Sequence, residues 1–200
     1  MTRDLSAVLA AAVHANGAPS SDYDLNPQVD LPPTRKLREA AVLIPVIDRA
    51  SGPTVMLTKR TSTLKHHPGQ IAFPGGKVDE TDDGVVAAAL REAEEEVGLG
   101  ATDVEVVGTL PCHETVTSFS VTPVLALVAP FRAKPQAGEV AEAFEVPLAH
   151  LIEPSNYSVQ SRRWRGARRA YFTVPFGPYY IWGATARMLR ALADRMEHAD

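Results

Sequence analysis

One cysteine, Cys112, is all the thiol that the 200 residues contain. It excludes an intrachain disulfide framework and fits a reducing compartment, so a cytoplasmic protein is expected. No apolar run approaches the roughly 20 residues of a membrane-spanning helix. Ala7–Val13 is apolar, but Asp4 and its weak flanks do not make a signal peptide. Charge of one sign is also lacking: 20 Lys and Arg stand against 24 Asp and Glu, a formal net charge of −4. That balance gives no reason to expect nucleic acid as a partner. Internal repeats and low-complexity tracts are absent. What remains is an ordinary globular composition in a chain most simply read as one domain with a sizeable core.

The chain does gather acid on one helix. Arg91-Glu92-Ala93-Glu94-Glu95-Glu96-Val97-Gly98-Leu99 closes a stretch that starts at Leu57 and passes a turn at Pro74-Gly75-Gly76. An acidic loop with Asp79, Glu80, Asp82 and Asp83 lies between. The spacing predicts a helix over 85–97. At roughly 100° per residue, Val86, Leu90, Ala93 and Val97 share one side, and Glu92, Glu95 and Glu96 share the other. Arg91 stands four residues before Glu95, where it can orient that carboxylate. Gly98 suits the stop, and Asp82 or Asp83 suits the cap at the start. Glu92 and Glu96 repel at i, i+4 by about 0.2–0.5 kcal/mol in water, and a divalent cation reverses that sign. Carboxylate oxygens suit a hard ion such as Mg²⁺ or Mn²⁺, which commonly takes further oxygens from a bound phosphate. The competing reading is a solvated acidic face without metal.

Gly76 followed by Arg91-Glu92-Ala93-x-Glu95-Glu96-x-Gly98-Leu99 resembles the Nudix box. In that motif a glycine, five residues, a glutamate and seven residues precede REUxEExGU, with U apolar. The second half matches at every fixed position. In the first half Asp82 stands in place of Glu, and eight residues rather than seven separate it from Arg91. Just upstream, Leu57-Thr58-Lys59-Arg60, Lys65, Gly69 and Phe73-Pro74-Gly75-Gly76 resemble the signature of Nudix hydrolases that act on coenzyme A. That signature reads LLTxR[SA], then Arg, Gly and FPGG at three-residue intervals. Met56, Thr61 and Lys65 replace Leu, Ser/Ala and Arg. Lys65 keeps the charge but loses the bidentate fork.

Elsewhere the chain is less specific. Leu5–Val13 reads as a short helix, and Gly17–Pro33, with four prolines, reads as a connector or extended arm that could wrap a partner subunit in a homodimer. Residues 1–34 are therefore set apart from a single domain over 35–200. Ala41–Ile47 is a central strand in which Pro45 implies a bulge or an unpaired position. A turn over Asp48–Pro53 and a strand over Thr54–Lys59 complete a hairpin, after which Arg60 leaves the sheet. Val104–Leu110 and Ser120–Val128 are further strands. Tyr157–Gln160 and Ala170–Phe176 flank a loop with Arg162, Arg163, Arg165, Arg168, Arg169, Trp164 and Gly166. That loop reads either as a solvated hairpin tip or as a grip on an extra phosphate. Ile181, Thr185, Met188, Leu189, Leu192 and Met196 form the packing stripe of a C-terminal helix.

Several tempting motifs fail. His66-His67 has no third ligand at metal spacing and reads as loop residues near phosphate or as plain surface. Gly75-Gly76-Lys77 lacks the earlier glycine and the Ser or Thr of a P-loop. His113-Glu114 opens like HExxH, but Thr117 closes it. Cys112 has no base-and-orienter set around it.

The resemblance implies an α/β protein, a Nudix-type α/β/α sandwich with a mixed sheet and the box as loop-helix-loop. It implies a diphosphatase in which Glu92, Glu95 and Glu96 hold Mg²⁺ or Mn²⁺. Glu92, Glu95 or a later glutamate takes the proton from water; Glu139 is the candidate for the last, with Glu142 in reserve. Arg60, Lys65, Gly75 and Gly76 would meet the substrate, expected to be coenzyme A or a close derivative. The alternatives are another nucleoside diphosphate derivative such as ADP-ribose, a nucleotide sugar or a nucleoside triphosphate, and a non-catalytic nucleotide sensor.

Overall fold

The apolar run Ala41–Ile47 becomes the middle of a sheet, because a strand apolar on both faces is stable only when both faces are covered. The computed structural model describes residues 4–29, 31–32, 34–63, 68–164 and 166–198. Pro33, Lys65, His66, His67 and Arg165 lie outside them. The elements are α1 (Leu5–His14), β1 (Ser20–Ser21), β2 (Arg38–Ile47), β3 (Thr54–Arg60), β4 (Ile71–Ala72), β5 (Gly75–Lys77) and α2 (Gly84–Val97). They continue with β6 (Val104–Thr109), β7 (His113–Glu114), β8 (Phe119–Val128), β9 (Val140–Pro147), α3 (Leu148–Leu151), β10 (Ser158–Trp164), β11 (Ala167–Thr173) and α4 (Gly183–His198).

Strand β8 runs parallel to β2 along its whole length, from Arg38 opposite Phe119 to Ile47 opposite Val128. The other edge of β2 is shared. β5 pairs with it antiparallel at Ala40–Val42, and β3 at Val46–Ile47. Pro45 falls in the gap between those two partners, so its missing N–H breaks no ladder on that edge. β3 carries the mixed sheet on to β4 and β9, and β8 carries it to β6 and β7. β10 and β11 form a separate antiparallel hairpin.

Alternation along β2 sorts the core into two layers. Ala41, Leu43 and Ile47 meet Ala88, Ala89, Ala93 and Val97 of α2 on one face. Ala40, Ile44 and Val46 meet Leu9 of α1, Leu148 and Leu151 of α3, and Leu189 and Leu192 of α4 on the other. The architecture is the expected α/β/α sandwich around a mixed sheet.

The N-terminal arm, read as a connector or extended arm, lies against the sheet. β1 adds to the sheet beside β7 in parallel, and Ser20 and Asn26 are buried. Ser20 Oγ lies 2.9 Å from Nδ1 of the fully buried His113, whose Nε2 lies 3.2 Å from Asp22 Oδ1. Buried Arg195 of α4 donates to the carbonyls of Ala12, Val13, Ala15 and Gly17. It thereby satisfies the open end of α1. The arm is thus tied to its own chain by polar contacts that hydrophobic periodicity does not report.

Arg49 closes the β2–β3 turn onto β9. Its Nη2 lies 2.6 Å from Glu145 Oε1, and Thr54 Oγ1 donates to Glu145 Oε2 at 2.6 Å. These hydrogen bonds hold the Glu145 carboxyl below its ordinary pKa. A depressed carboxyl stabilises the fold above its unfolded value and loses that contribution as the pH falls through its folded value. Glu145→Gln is expected to cost about 1 kcal/mol at neutral pH. The difference from wild type should shrink below about pH 4 when thermal unfolding is followed across pH.

Candidate active site

Two turns of β-rich chain and one helix build the site. Ala88, Ala89 and Ala93 are small enough to bring α2 close to the sheet, and all three are fully buried. Gly98 ends the helix at φ 68°, and its N–H bonds to Glu94 O at 2.9 Å. The start differs from expectation. Asp83 occupies the cap position without a side-chain hydrogen bond, and Asp82 is committed elsewhere.

Asp82 clamps Arg91. Arg91 Nε reaches Asp82 Oδ1 at 2.8 Å and Nη2 reaches Oδ2 at 3.0 Å. With the Asp79 N–H also on it, the Asp82 carboxyl is held down at about 2. Arg91 further reaches Lys77 O, Glu92 Oε1 and Glu95 Oε2, at 3.2, 3.1 and 3.2 Å. One guanidinium therefore joins the acidic loop, β5 and two of the three glutamates expected to hold metal. The four-residue Arg91–Glu95 contact is the one expected from spacing. The bidentate Asp82 contact was hidden, because the Asp and the added residue depart from the box pattern.

The three glutamates do not share one environment. Glu95 is 59% exposed at its side chain and Glu92 17%. Glu96 is buried at 4%, which corrects its placement on an outward acidic face. On the helical wheel it falls within about 20° of Ala89, so it follows the helix into the sheet. There Glu96 Oε2 accepts from Gly75 N at 3.3 Å, and Oε1 lies 3.6 Å from Arg60 Nη1. Burial pushes the Glu96 carboxyl up to about 7, against the pull of that N–H and the Arg60 guanidinium. Burial also raises Glu92. Arg60 remains the last residue of β3, with a register shift beside it, instead of leaving the sheet.

The glycines are set by contact. Gly75 has φ 155°, and a Cβ there would fall 2.6 Å from Val42 Cα on β2. A Cβ on Gly76 would meet the Glu92 carboxylate. The FPGG segment is thereby held between β2 and the acidic helix, with Gly75 donating to one glutamate and Gly76 touching another.

The later acids separate as well. Exposed Glu139 acts electrostatically on both Glu92 and Glu96, and its carbonyl accepts from Thr61 N. Glu142 accepts a 2.5 Å hydrogen bond from the Tyr179 hydroxyl, away from the helix. Lys65 lies outside the described residues.

Among the described residues no three Asp, Glu, His or Cys side chains converge as a preformed metal-ligand set. The donor chemistry nevertheless fits a hard divalent ion. Two glutamates and a buried third carboxylate, whose nearest positive partner is 3.6 Å away, present oxygen ligands alone. Arg60 complements them: its Nε is buried without an acceptor among the described residues.

Comparison with known proteins adds the family context. Residues 37–165 match the NUDIX domain. The chain is 43% identical over 172 residues to an uncharacterized Nudix hydrolase, NudL, from Shigella flexneri serotype 5b, covering 84% of this chain and 88% of that one. A NudL from Cronobacter sakazakii is 44% identical over 157 residues, covering 78% and 81%. Among solved structures, the Nudix hydrolase RenU from M. smegmatis aligns with a TM-score of 0.49 at 27% identity, covering 56% of this chain and 72% of that one.

The two glycines separate fold from activity. Gly75→Ala drives a Cβ into the β2 backbone at positive φ and is expected to destabilise the fold by about 2–4 kcal/mol. Gly76→Ala displaces only a flexible carboxylate. Its melting temperature should stay within a few degrees of wild type while hydrolysis falls by about 100-fold. Thermal melts and initial rates on both variants check this contrast.

Proposed function

The chain belongs to the NUDIX family of hydrolases, which act on diphosphate linkages, and we propose that the linkage it cleaves is that of coenzyme A or a close derivative. The products are then 4′-phosphopantetheine and adenosine 3′,5′-bisphosphate. What carries this reading is the meeting of the two motifs in space: Arg60 of the upstream signature lies 3.6 Å from Glu96 of the box, and Gly75 of FPGG bonds to the same carboxylate. The segment that resembles the coenzyme A signature thus forms one wall of the site.

Glu92, Glu95 and Glu96 are assigned as the ligands of Mg²⁺ or Mn²⁺. The ion would supply charge neutralisation at the diphosphate oxygens as a Lewis acid. Arg60, whose Nε has no acceptor among the described residues, and Lys65 carry the substrate's phosphate charge. Gly75 and Gly76 let the backbone approach that charge without a side chain in the way. Arg91 fixes the rotamers of Glu92 and Glu95 through its clamp on Asp82, so that little reorganisation is left for the reaction. Proton removal from the attacking water is assigned to Glu95, Glu92 or Glu139. Glu139 has the support of lying near both Glu92 and Glu96 in electrostatic terms.

The test offers the purified protein coenzyme A, ADP-ribose and a nucleoside triphosphate side by side with Mg²⁺ or Mn²⁺. Coenzyme A should be cleaved fastest, and chelation should abolish turnover. Preference for another diphosphate contradicts the substrate assignment. Glu95→Gln should lower kcat by at least about 100-fold while leaving substrate affinity within a few-fold. A wild type that binds nucleotide and turns over none of the three contradicts the enzyme reading and favours a sensor.

A further inference from the structure

The arginines read from sequence as a hairpin loop lie largely in strands. Arg162 stands opposite Arg169, and Arg163 opposite Arg168, across β10 and β11. Their partners differ. Arg168 Nε donates to Ser161 Oγ at 2.7 Å, and Arg169 lies over the Tyr23 ring. Arg162 instead lies 4.3 Å over the Trp182 ring and lines a cavity of about 440 Å³ with Lys59, Gln70, Tyr179, Tyr180 and Trp182. Among the described residues no carboxylate stands within ion-pair distance of Arg162 or Lys59.

The aromatic wall of this cavity is braced from behind. Phe144 stacks on Tyr179 with centroids 3.6 Å apart and planes 6° apart, and Tyr171 meets Trp182 edge-on at 5.1 Å. Tyr180, held by the Tyr171 hydroxyl at 3.4 Å, is 47% exposed. The cavity shares the end of β3 with the diphosphate site, with Lys59 and Arg60 pointing to opposite faces of the strand there. Lys59 precedes Arg60 on β3, and the carbonyl of Gln70 accepts from Arg60 N at 2.9 Å. Two cations without carboxylate partners beside exposed Tyr180 and half-buried Trp182 suit a nucleoside that carries phosphate, since rings stack on a base and guanidinium groups grip phosphate oxygens.

We propose that this cavity holds the nucleoside end of the substrate, with Arg162 and Lys59 on a phosphate of the ribose and Tyr180 and Trp182 against the base. The assignment rests on the coenzyme A reading, because that substrate places a 3′-phosphate beside its adenine. It selects Arg162 from the arginines of the hairpin as the one that recognises substrate. It also accounts for Glu142, whose bond to Tyr179 positions the wall and takes no part in the chemistry.

The test is calorimetric titration of the metal-free, full-length protein with adenosine 3′,5′-bisphosphate and with AMP. Wild type should bind the bisphosphate at least 10-fold more tightly. Arg162→Ala should remove about 10-fold of that affinity and leave AMP within about twofold, and Arg162→Lys should restore part of it. Lys59→Ala should act in the same direction, and Tyr180→Ala should weaken both nucleotides. All three substituted side chains are exposed, so melting temperatures should match wild type. Bisphosphate binding that is indifferent to both cations, or equal losses for both nucleotides, overturns the proposal. Cleavage of coenzyme A with such indifference removes the cavity and leaves the substrate reading standing. Bisphosphate binding through Arg162 without cleavage of coenzyme A removes the substrate reading and leaves the cavity.

Discussion

A carboxylate taken out of water against a sheet is an expensive group to keep charged. Glu96 is such a group, and much of the site is arranged around it. The Gly75 N–H and the Arg60 guanidinium offset only part of the penalty, since its carboxyl still sits at about 7. To reach those partners, FPGG must turn tightly beside β2, α2 must come down on alanines, and β3 must end at Arg60. Sheet, helix and loop therefore share one electrostatic constraint. The fold carries a destabilised group at the place where we propose that a cation binds, which is a common form of trade between stability and activity.

Arg91 solves a second problem. Glu92 and Glu95 are neighbours that repel, and Asp82 adds a third negative group. A single guanidinium touching all three, as well as Lys77 O, converts a loose acidic loop into a fixed one. The Asp82–Arg91 clamp explains how this chain tolerates an aspartate and an extra residue in the first half of the box. The shorter acid serves the arginine through two hydrogen bonds, and the inserted residue is absorbed in the loop before α2.

Much of this was legible in the sequence. The helix, its glycine stop, the Arg91–Glu95 contact, the central strand and the side of α4 that packs all follow from period and spacing. The burial of Glu96 did not. Periodicity assigns a residue to an angular sector, and Glu96 lies at the border between the acidic arc and the alanine stripe; only the neighbouring strand decides which it joins. Polar contacts between distant segments were equally invisible. Nothing local to His113 announces Ser20 and Asp22, and nothing local to Arg195 announces the end of α1. The hairpin arginines were grouped by sequence, whereas the fold gives Arg162, Arg168 and Arg169 different partners. Glu139 and Glu142 differ in the same way, being three residues apart and facing different neighbours.

The most direct test of the account is thermal unfolding of wild type and Glu96→Gln at about pH 8, each with and without Mn²⁺. A group with a raised carboxyl pKa destabilises the fold once ionised. The account predicts that Glu96→Gln melts higher than wild type without metal, and that the stabilisation Mn²⁺ gives wild type is largely lost. A variant that melts lower without metal and keeps the full Mn²⁺ shift would contradict it.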